Sequence, residues 1–191
     1  MPYTDWTQSH AGSAEVLFTG MFDEPAGTIA RTVPRANCSA NTIATAGSGL
    51  PNVRILPLPA GLTIHNISVN TGTTAEATGT HFWCAIMDAN SNVIAVTADQ
   101  TGAAYAAAST FLTNPVTVPA VIPQTGYYYA VVCVSAATVP TFAGGAALQA
   151  GTNAVPPVAA GQLATQAAPP LVGQNLGAVT NGAFNCAFWI S

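Results

Sequence analysis

Three carboxylates stand in or beside turns in the middle of the chain, at Glu76, Asp88 and Asp99. Two carboxyl groups that flank a glycosidic bond are the machinery of a glycoside hydrolase, so these three are the candidates for that chemistry. Acids in turns more commonly accept hydrogen bonds from the turn backbone. The pattern therefore favours a structural role for all three, with a glycan-degrading depolymerase as the enzymatic alternative.

The histidines and cysteines show no spacing typical of a catalytic or metal site. His65 and His81 lie in apolar runs, where a cross-strand polar contact is the simpler interpretation, and His10 lies in a polar stretch. The chain has no lysine, which excludes a P-loop and Schiff-base chemistry. The cysteines are far apart and are predicted to be reduced, buried small side chains: Cys38, Cys84, Cys133 and Cys186. The sequence thus predicts no enzyme, no catalytic residue, no metal ligand and no cofactor.

Two short segments carry weaker binding signals. Residues 88–92 begin like a calcium-binding loop, but Val93 stands where that loop needs glycine, so we predict a hairpin turn. Tyr127, Tyr128 and Tyr129 could form a stacking platform for a sugar. In a strand, however, Tyr128 faces away from the other two, so at least one of the three is predicted to lie in the core.

Strand-like runs separated by turn residues fill the middle of the chain, and no run has a helical apolar stripe. The candidate strands are residues 53–58, 62–69, 80–87, 92–97, 111–118 and 127–134. Strands 80–87 and 127–134 are apolar on both faces, whereas one face of an antiparallel sandwich normally meets water. We therefore expect either a neighbouring subunit or the chain's own long loops to cover their outer face.

The chain divides into an arm and a domain. Residues 1–52 are the conventionally polar part and are predicted to be an extended attachment arm, with Asp23, Glu24, Arg31 and Arg35 as its contact residues. Residues 53–191 form the domain. It includes a long segment rich in Ala, Gly and Pro at residues 143–182, called the excursion below, which returns to an aromatic final strand. Such a return is natural in an antiparallel jelly-roll β-sandwich, the fold class that we predict.

Charge is almost absent from the second half of the chain. No Asp, Glu, Lys, Arg or His occurs from Gln100 to Ser191, and only 5% of all residues are charged. Three arginines and a net charge of −4 argue against binding to nucleic acid or to a membrane surface, and the apolar run at residues 127–137 is too short for membrane insertion. A surface of this kind is predicted to lie against other protein in a homo-oligomer. The candidate interface residues are Trp83, Tyr128, Phe188 and Trp189.

Several segments together resemble a known group of proteins: residues 58–68, 79–83, 85–88, 93–99, 116–119, 126–128 and 187–191. They include a Pro-Ala-Gly turn at residues 59–61 and an aromatic last strand. Residues 54–191 are similar to the small jelly-roll proteins and tip domains on the virions of tailed actinobacteriophages such as mycobacteriophages. These motifs are structural, so the resemblance implies a fold and a setting and transfers no catalytic residue.

The resemblance implies a capsid decoration or head-fibre protein on the virion surface, assembled in the cytoplasm of the host bacterium. Its expected partners are further copies of itself, as a trimer, and the major capsid or tail proteins of the same virion. The alternative is a minor tail or receptor-binding tip protein that recognises a host-surface glycan, with Tyr128, Tyr105 or His81 at the glycan site. Residues 1–53 lie outside the resemblance, which leaves the mode of attachment open.

Overall fold

The computed structural model describes residues 27–33, 38, 40–45, 47–101, 105–145, 158–166, 168–182 and 184–191. The predicted arm is therefore described in part. Its first 26 residues lie outside the described residues, and so do the contact residues Asp23, Glu24 and Arg35.

The described residues form β-strands and no helix, so the all-β prediction is confirmed. Each of the six candidate strands is present, and most run longer than predicted. The strands are β1 (Ala30–Arg31), β2 (Ala40–Ile43), β3 (Asn52–Leu58), β4 (Thr63–Asn70), β5 (Ala77–Met87), β6 (Val93–Val96), β7 (Phe111–Val121), β8 (Gly126–Thr138), β9 (Phe142–Gly144), β10 (Ala160–Gln162), β11 (Thr180–Asn181) and β12 (Phe188–Ile190).

Two antiparallel sheets pack face to face as a β-sandwich. The small sheet has the order β1-β12-β4-β7, and the large sheet has the order β11-β10-β3-β8-β5-β6. Strands β2 and β9 form a separate antiparallel pair. One side of the sandwich is closed where β6 meets β7, through a bridge between Thr97 and Val116. The main strands are therefore held both within their sheets and across that side.

Apolar side chains alternate along the strands and fill the space between the sheets. In β5 these are Phe82, Cys84 and Ile86, and all three are fully buried. The Phe82 ring packs edge-on against Tyr105, with 5.1 Å between ring centroids, and lies 6.5 Å from the Phe142 ring. Phe82 is thus a centre of the core, because it contacts aromatic rings from two different segments.

The outer face of the large sheet is also apolar, and the excursion covers it. Trp83, which alternates with Phe82 along β5, is fully buried in a second cluster, together with Leu163 and Leu176 of the excursion. Backbone hydrogen bonds hold this cover in place, from Leu163 to Pro51 at 3.1 Å and from Leu176 to Ser91 at 3.0 Å. Of the two covers expected from the sequence, the chain's own long loop is the one that the structure shows.

The described part of the arm adds a strand to the small sheet and covers Trp189 on its outer face. Strand β1 pairs with β12, and Val33 and Cys38 pack against Ala187 and Trp189 of the C-terminal segment. Strand β2 pairs with β9. The described residues of the predicted arm therefore belong to the packed sandwich.

The four aromatic residues predicted to lie at a subunit interface are buried within the single chain. Trp83 and Phe188 are 0% exposed, Trp189 is 3% exposed and Tyr128 is 5% exposed. Phe188 and Tyr128 lie between the sheets, and the other two lie under the excursion and the arm. These side chains therefore present almost no surface to a second subunit.

Candidate functional site

Three turns gather at one end of the sandwich, called the loop end below. They follow β3, join β5 to β6, and join β7 to β8. The antiparallel register brings them together, because Leu58 lies opposite Gly126 and Met87 lies opposite Tyr129. A hydrogen bond from the Ala60 amide to Thr125 Oγ1 at 2.9 Å joins two of the turns directly.

Asp88 organises the turn between β5 and β6. Its Oδ1 accepts hydrogen bonds from the backbone amides of Asn90 and Asn92, both at 2.8 Å, and its Oδ2 accepts one from Asn92 Nδ2 at 2.9 Å. Ser91 takes a positive φ of 66° at the tip. The predicted hairpin turn is therefore present, and the Asp88 carboxylate serves its backbone.

The excursion fixes this turn from outside. Asn175 Nδ2 donates to the carbonyl of Asn90 at 2.7 Å and to Asn92 Oδ1 at 3.0 Å. Because the turn is held both by its own aspartate and by the excursion, the side chains on it have a defined position at the loop end.

The three consecutive tyrosines differ sharply in exposure. Tyr127 is 50% exposed, whereas Tyr128 and Tyr129 are each 5% exposed. The Tyr128 hydroxyl donates to the Gln124 carbonyl at 2.7 Å, and the Tyr129 hydroxyl donates to the Val158 carbonyl at 3.3 Å. Burial also raises the pKa of Tyr129. Two of the three rings are thus structural, and Tyr127 is the ring that solvent reaches.

Two shallow clefts of about 390 Å³ each adjoin Tyr127. The first is lined by the turn residues Asp88 to Asn90, by Ile94 and by the segment from Pro123 to Tyr128. The second is mainly apolar and is lined by Pro57, Leu58, Pro59, Thr125, Gly126 and Tyr127. Tyr127 is therefore shared by a mixed polar cleft and an apolar cleft. The sequence alone did not single out Tyr127 as the exposed ring, although its place directly after the turn at residues 123–126 is a signal for exposure.

Two of the three candidate carboxylates, Glu76 and Asp88, lie too far apart to form a catalytic pair. These residues flank β5, which has 11 residues. At about 3.3 Å per residue the two carboxylates stand roughly 35 Å apart, far beyond the roughly 5–10 Å that glycoside hydrolysis requires. The structure therefore gives no support to a depolymerase that uses this pair.

Glu76 is a buried carboxylate with an incomplete set of partners. It is 3% exposed, and its Oε2 accepts a hydrogen bond from the Ala106 amide at 3.1 Å. Its Oε1 has no hydrogen-bond partner among the described residues and occupies the space beside Gly79, where a Cβ atom would stand 1.3 Å away. Burial raises the pKa of Glu76, and the Ala106 amide counteracts part of that rise. The glycine thus makes the room in which the carboxylate is buried.

The Glu76→Gln variant is expected to be more stable than the wild type at neutral pH. Because folding raises the pKa of this carboxyl, the folded protein loses stability as the pH rises from the ordinary pKa of 4.5 through the higher pKa of the folded state. The amide removes that loss while keeping an oxygen for Ala106. Urea unfolding at pH 4.5 and pH 7.5 measures the free energy of unfolding of both proteins. We expect that free energy to depend less on pH in the variant than in the wild type. An equal pH dependence in both proteins would contradict the expectation.

His81 and Asp99 form a close polar pair on the outer side of the large sheet. His81 Nδ1 lies 2.6 Å from Asp99 Oδ2, and Asp99 Oδ1 accepts a hydrogen bond from the Phe82 amide at 3.2 Å. Ser135 lies opposite His81 in the register between β5 and β8. Because Asp99 follows β6, the neighbour of β5, His81 makes the kind of cross-strand polar contact that the sequence predicts.

Within the described residues the cysteines form no disulfide bond, and three of them are buried: Cys84, Cys133 and Cys186. Burial raises the pKa of Cys133 and of Cys186 to about 12, and it raises that of Cys84 further. Cys38 is partly buried against Ala187 and Trp189. Thiols with raised pKa values are poor nucleophiles. In the part of the chain that the structure describes, no group of three His, Cys, Asp or Glu side chains is placed to hold a metal ion.

The arginines present little positive charge at the described surface. Arg54 is 5% exposed, and its Nη1 donates to Asn185 Oδ1. Burial lowers the pKa of Arg54, while the nearby thiols of Cys186 and Cys38 oppose that change. Arg31 lies in β1 opposite Trp189 and is partly buried. Of the four predicted contact residues of the arm, Arg31 is therefore the one that the structure places.

Searches of family models, of curated proteins and of solved structures found no match to this chain. Across the described ranges, no helix is long and apolar enough to cross a membrane.

Proposed function

We propose that this chain is a non-enzymatic structural protein of a bacteriophage virion surface, in the form of a capsid decoration or head-fibre protein. The sandwich is proposed to have jelly-roll topology and to assemble as a trimer. Its further partners are the major capsid or tail proteins of the same virion, and its site of assembly is the cytoplasm of the host bacterium. Residues 1–26, together with Arg31 and Arg35, are proposed to supply the attachment.

The observation that carries this proposal is the exposed second half of β7, which lies at the edge of the small sheet beyond the bridge between Val116 and Thr97. Strand β7 is 11 residues long, lies at the end of the strand order and contains no ionisable side chain. Val118 is 66% exposed and Val121 is 60% exposed on it. Edge strands of soluble proteins are commonly protected by charged side chains, and here Pro115 and Pro119 are the interruptions. An apolar edge of this length fits a chain that is covered by other protein in an assembly.

Adding charge to this edge is expected to stop assembly. In the Val118→Lys, Val121→Lys double variant, two ammonium groups would have to be buried at the subunit contact, which is strongly unfavourable. Light scattering should show a monomer in place of the trimer, and the variant should be lost from purified particles. The matched control is Leu171→Lys on the excursion, where an equally apolar side chain is 77% exposed. A wild-type chain that is monomeric at micromolar concentration, or double-variant particles with full occupancy, would contradict the proposal.

A receptor-binding tip of the tail is the second candidate, and the loop end favours it. The residues first considered for a glycan site are engaged within the chain: Tyr128 is buried, Tyr105 donates to Asn114 Oδ1 at 2.8 Å, and His81 is paired with Asp99. Tyr127 is the exposed ring, and clefts lie beside it. Imaging of intact particles with a label on this chain distinguishes a head position from a tail position.

A further inference from the structure

We infer that the loop end binds a neutral saccharide, with Tyr127 as the stacking ring between its two clefts. This inference deepens the second candidate function and rests on it for its biological setting. The site itself is argued from the exposure, the polar groups and the charge of the loop end.

The first step is the ring. A sugar presents a face of C–H groups, and a half-exposed tyrosine is an amphipathic surface of the matching kind. Tyr127 stands at the beginning of β8, opposite Pro57 in the register with β3. Its backbone is therefore held by a strand, so little conformational freedom is lost when a ligand packs on the ring.

The second step is the set of polar groups around the ring. The side-chain amides of Asn90 and Gln124 line the polar cleft, and the described residues provide no hydrogen-bond partner for either amide. An amide both donates and accepts, which suits the hydroxyl groups of a sugar. Asp88 keeps the turn in place, and its Oδ2, which accepts one hydrogen bond, still has room to accept a further one.

The third step is the size and charge of the site. A volume of about 390 Å³ for each cleft lies at the lower end of the range for small-molecule sites, which fits one or two sugar units on each side of the ring. The lining of both clefts contains no cationic side chain and one carboxylate. Such a lining repels acidic sugars, sulfated glycans and phosphate groups, so the ligand class is a neutral polysaccharide.

The test uses the full-length protein and soluble polysaccharides of known composition. Affinity electrophoresis is run against neutral polymers of glucose, mannose, galactose and arabinose, and against polygalacturonate as the acidic probe. Retardation by at least one neutral polymer is expected, with none by polygalacturonate. Tyr127→Ala should weaken binding by roughly tenfold, because a stacking contact contributes about one kcal/mol or more. The Tyr127→Trp variant should still bind the neutral polymer, because it keeps an aromatic ring at this position.

The control variant is Leu171→Thr, an exposed position on the excursion outside both clefts, which should bind like the wild type. Binding by no neutral polymer, equal binding by Tyr127→Ala, or equal retardation by polygalacturonate would each overturn the inference.

Particle occupancy is measured on the same variants. If Tyr127→Ala is lost from particles, the ring belongs to an assembly contact, so the saccharide inference fails while the virion role stands. If the wild type binds a neutral polymer but is absent from particles, the virion role fails alone.

Discussion

The Trp83→Ala variant loses about 3–5 kcal/mol of unfolding free energy, the usual cost of truncating a buried tryptophan. Trp83 is 0% exposed, and the excursion covers it through Leu163 and Leu176. Truncation leaves a cavity between the large sheet and a loop cover that has few other apolar anchors. The expected result is a lower urea midpoint at every protein concentration, because the contacts that are lost lie within one chain.

The Trp83→Phe variant is the matched control. Trp83 Nε1 has no hydrogen-bond partner among the described residues, so phenylalanine removes an unsatisfied donor while it keeps most of the ring. Its cost should stay below about 1.5 kcal/mol. If the Trp83→Ala monomer is instead as stable as the wild-type monomer and an oligomer dissociates, Trp83 lies at a subunit contact, which is the position that the sequence predicts.

Among the described glycines, Gly144 is where substitution by alanine is expected to be most damaging. A Cβ atom at Gly144 would stand 1.9 Å from the backbone oxygen of Asn185, and backbone cannot rotate away as a side chain can. Gly144 pairs with Ala40 and bridges to Cys186, so the clash separates β9 from the segment that leads into β12. We expect a loss at or above the upper end of the roughly 1–3 kcal/mol that overpacking costs.

Gly126→Ala provides the comparison for this substitution. A Cβ atom at Gly126 meets no atom within 4 Å, so its effect should stay within about 0.5 kcal/mol. Thermal unfolding of both variants followed by circular dichroism measures the difference. Similar midpoints for the two variants would show that the close approach of Gly144 to Asn185 is not needed for stability.

The six strands from β3 to β8 and the turns between them could be predicted, because each is determined by nearby residues. The Asp88 turn follows from an aspartate and two asparagines at fixed spacing, and the structure shows its carboxylate bonding that backbone. Arg54 could also have been recognised as buried, because the period of a strand places it on the same face as Leu56 and Leu58.

The sequence could not show what covers the outer face of the large sheet. A neighbouring subunit and the excursion both require the same apolar residues on that face. Trp83 and its neighbours on that face are apolar whether a partner or the excursion lies over them. Choosing between the two requires knowing that Leu163 and Leu176 return to this sheet, which depends on contacts distant in the chain. The same limit applies to Tyr129, which is buried because the outer cluster extends to it.

The pairing of β12 with β1 and β4 has a consequence for synthesis of the chain. Ala30 lies opposite Ile190, and the Phe188 amide donates to Thr32 Oγ1 across a separation of 156 residues. The small sheet therefore cannot close until nearly all of these residues have left the ribosome, and its earlier strands wait with an unpaired edge. Contacts this distant slow folding and favour aggregation of the waiting chain, so a chaperone that holds the unpaired strands should raise the soluble yield.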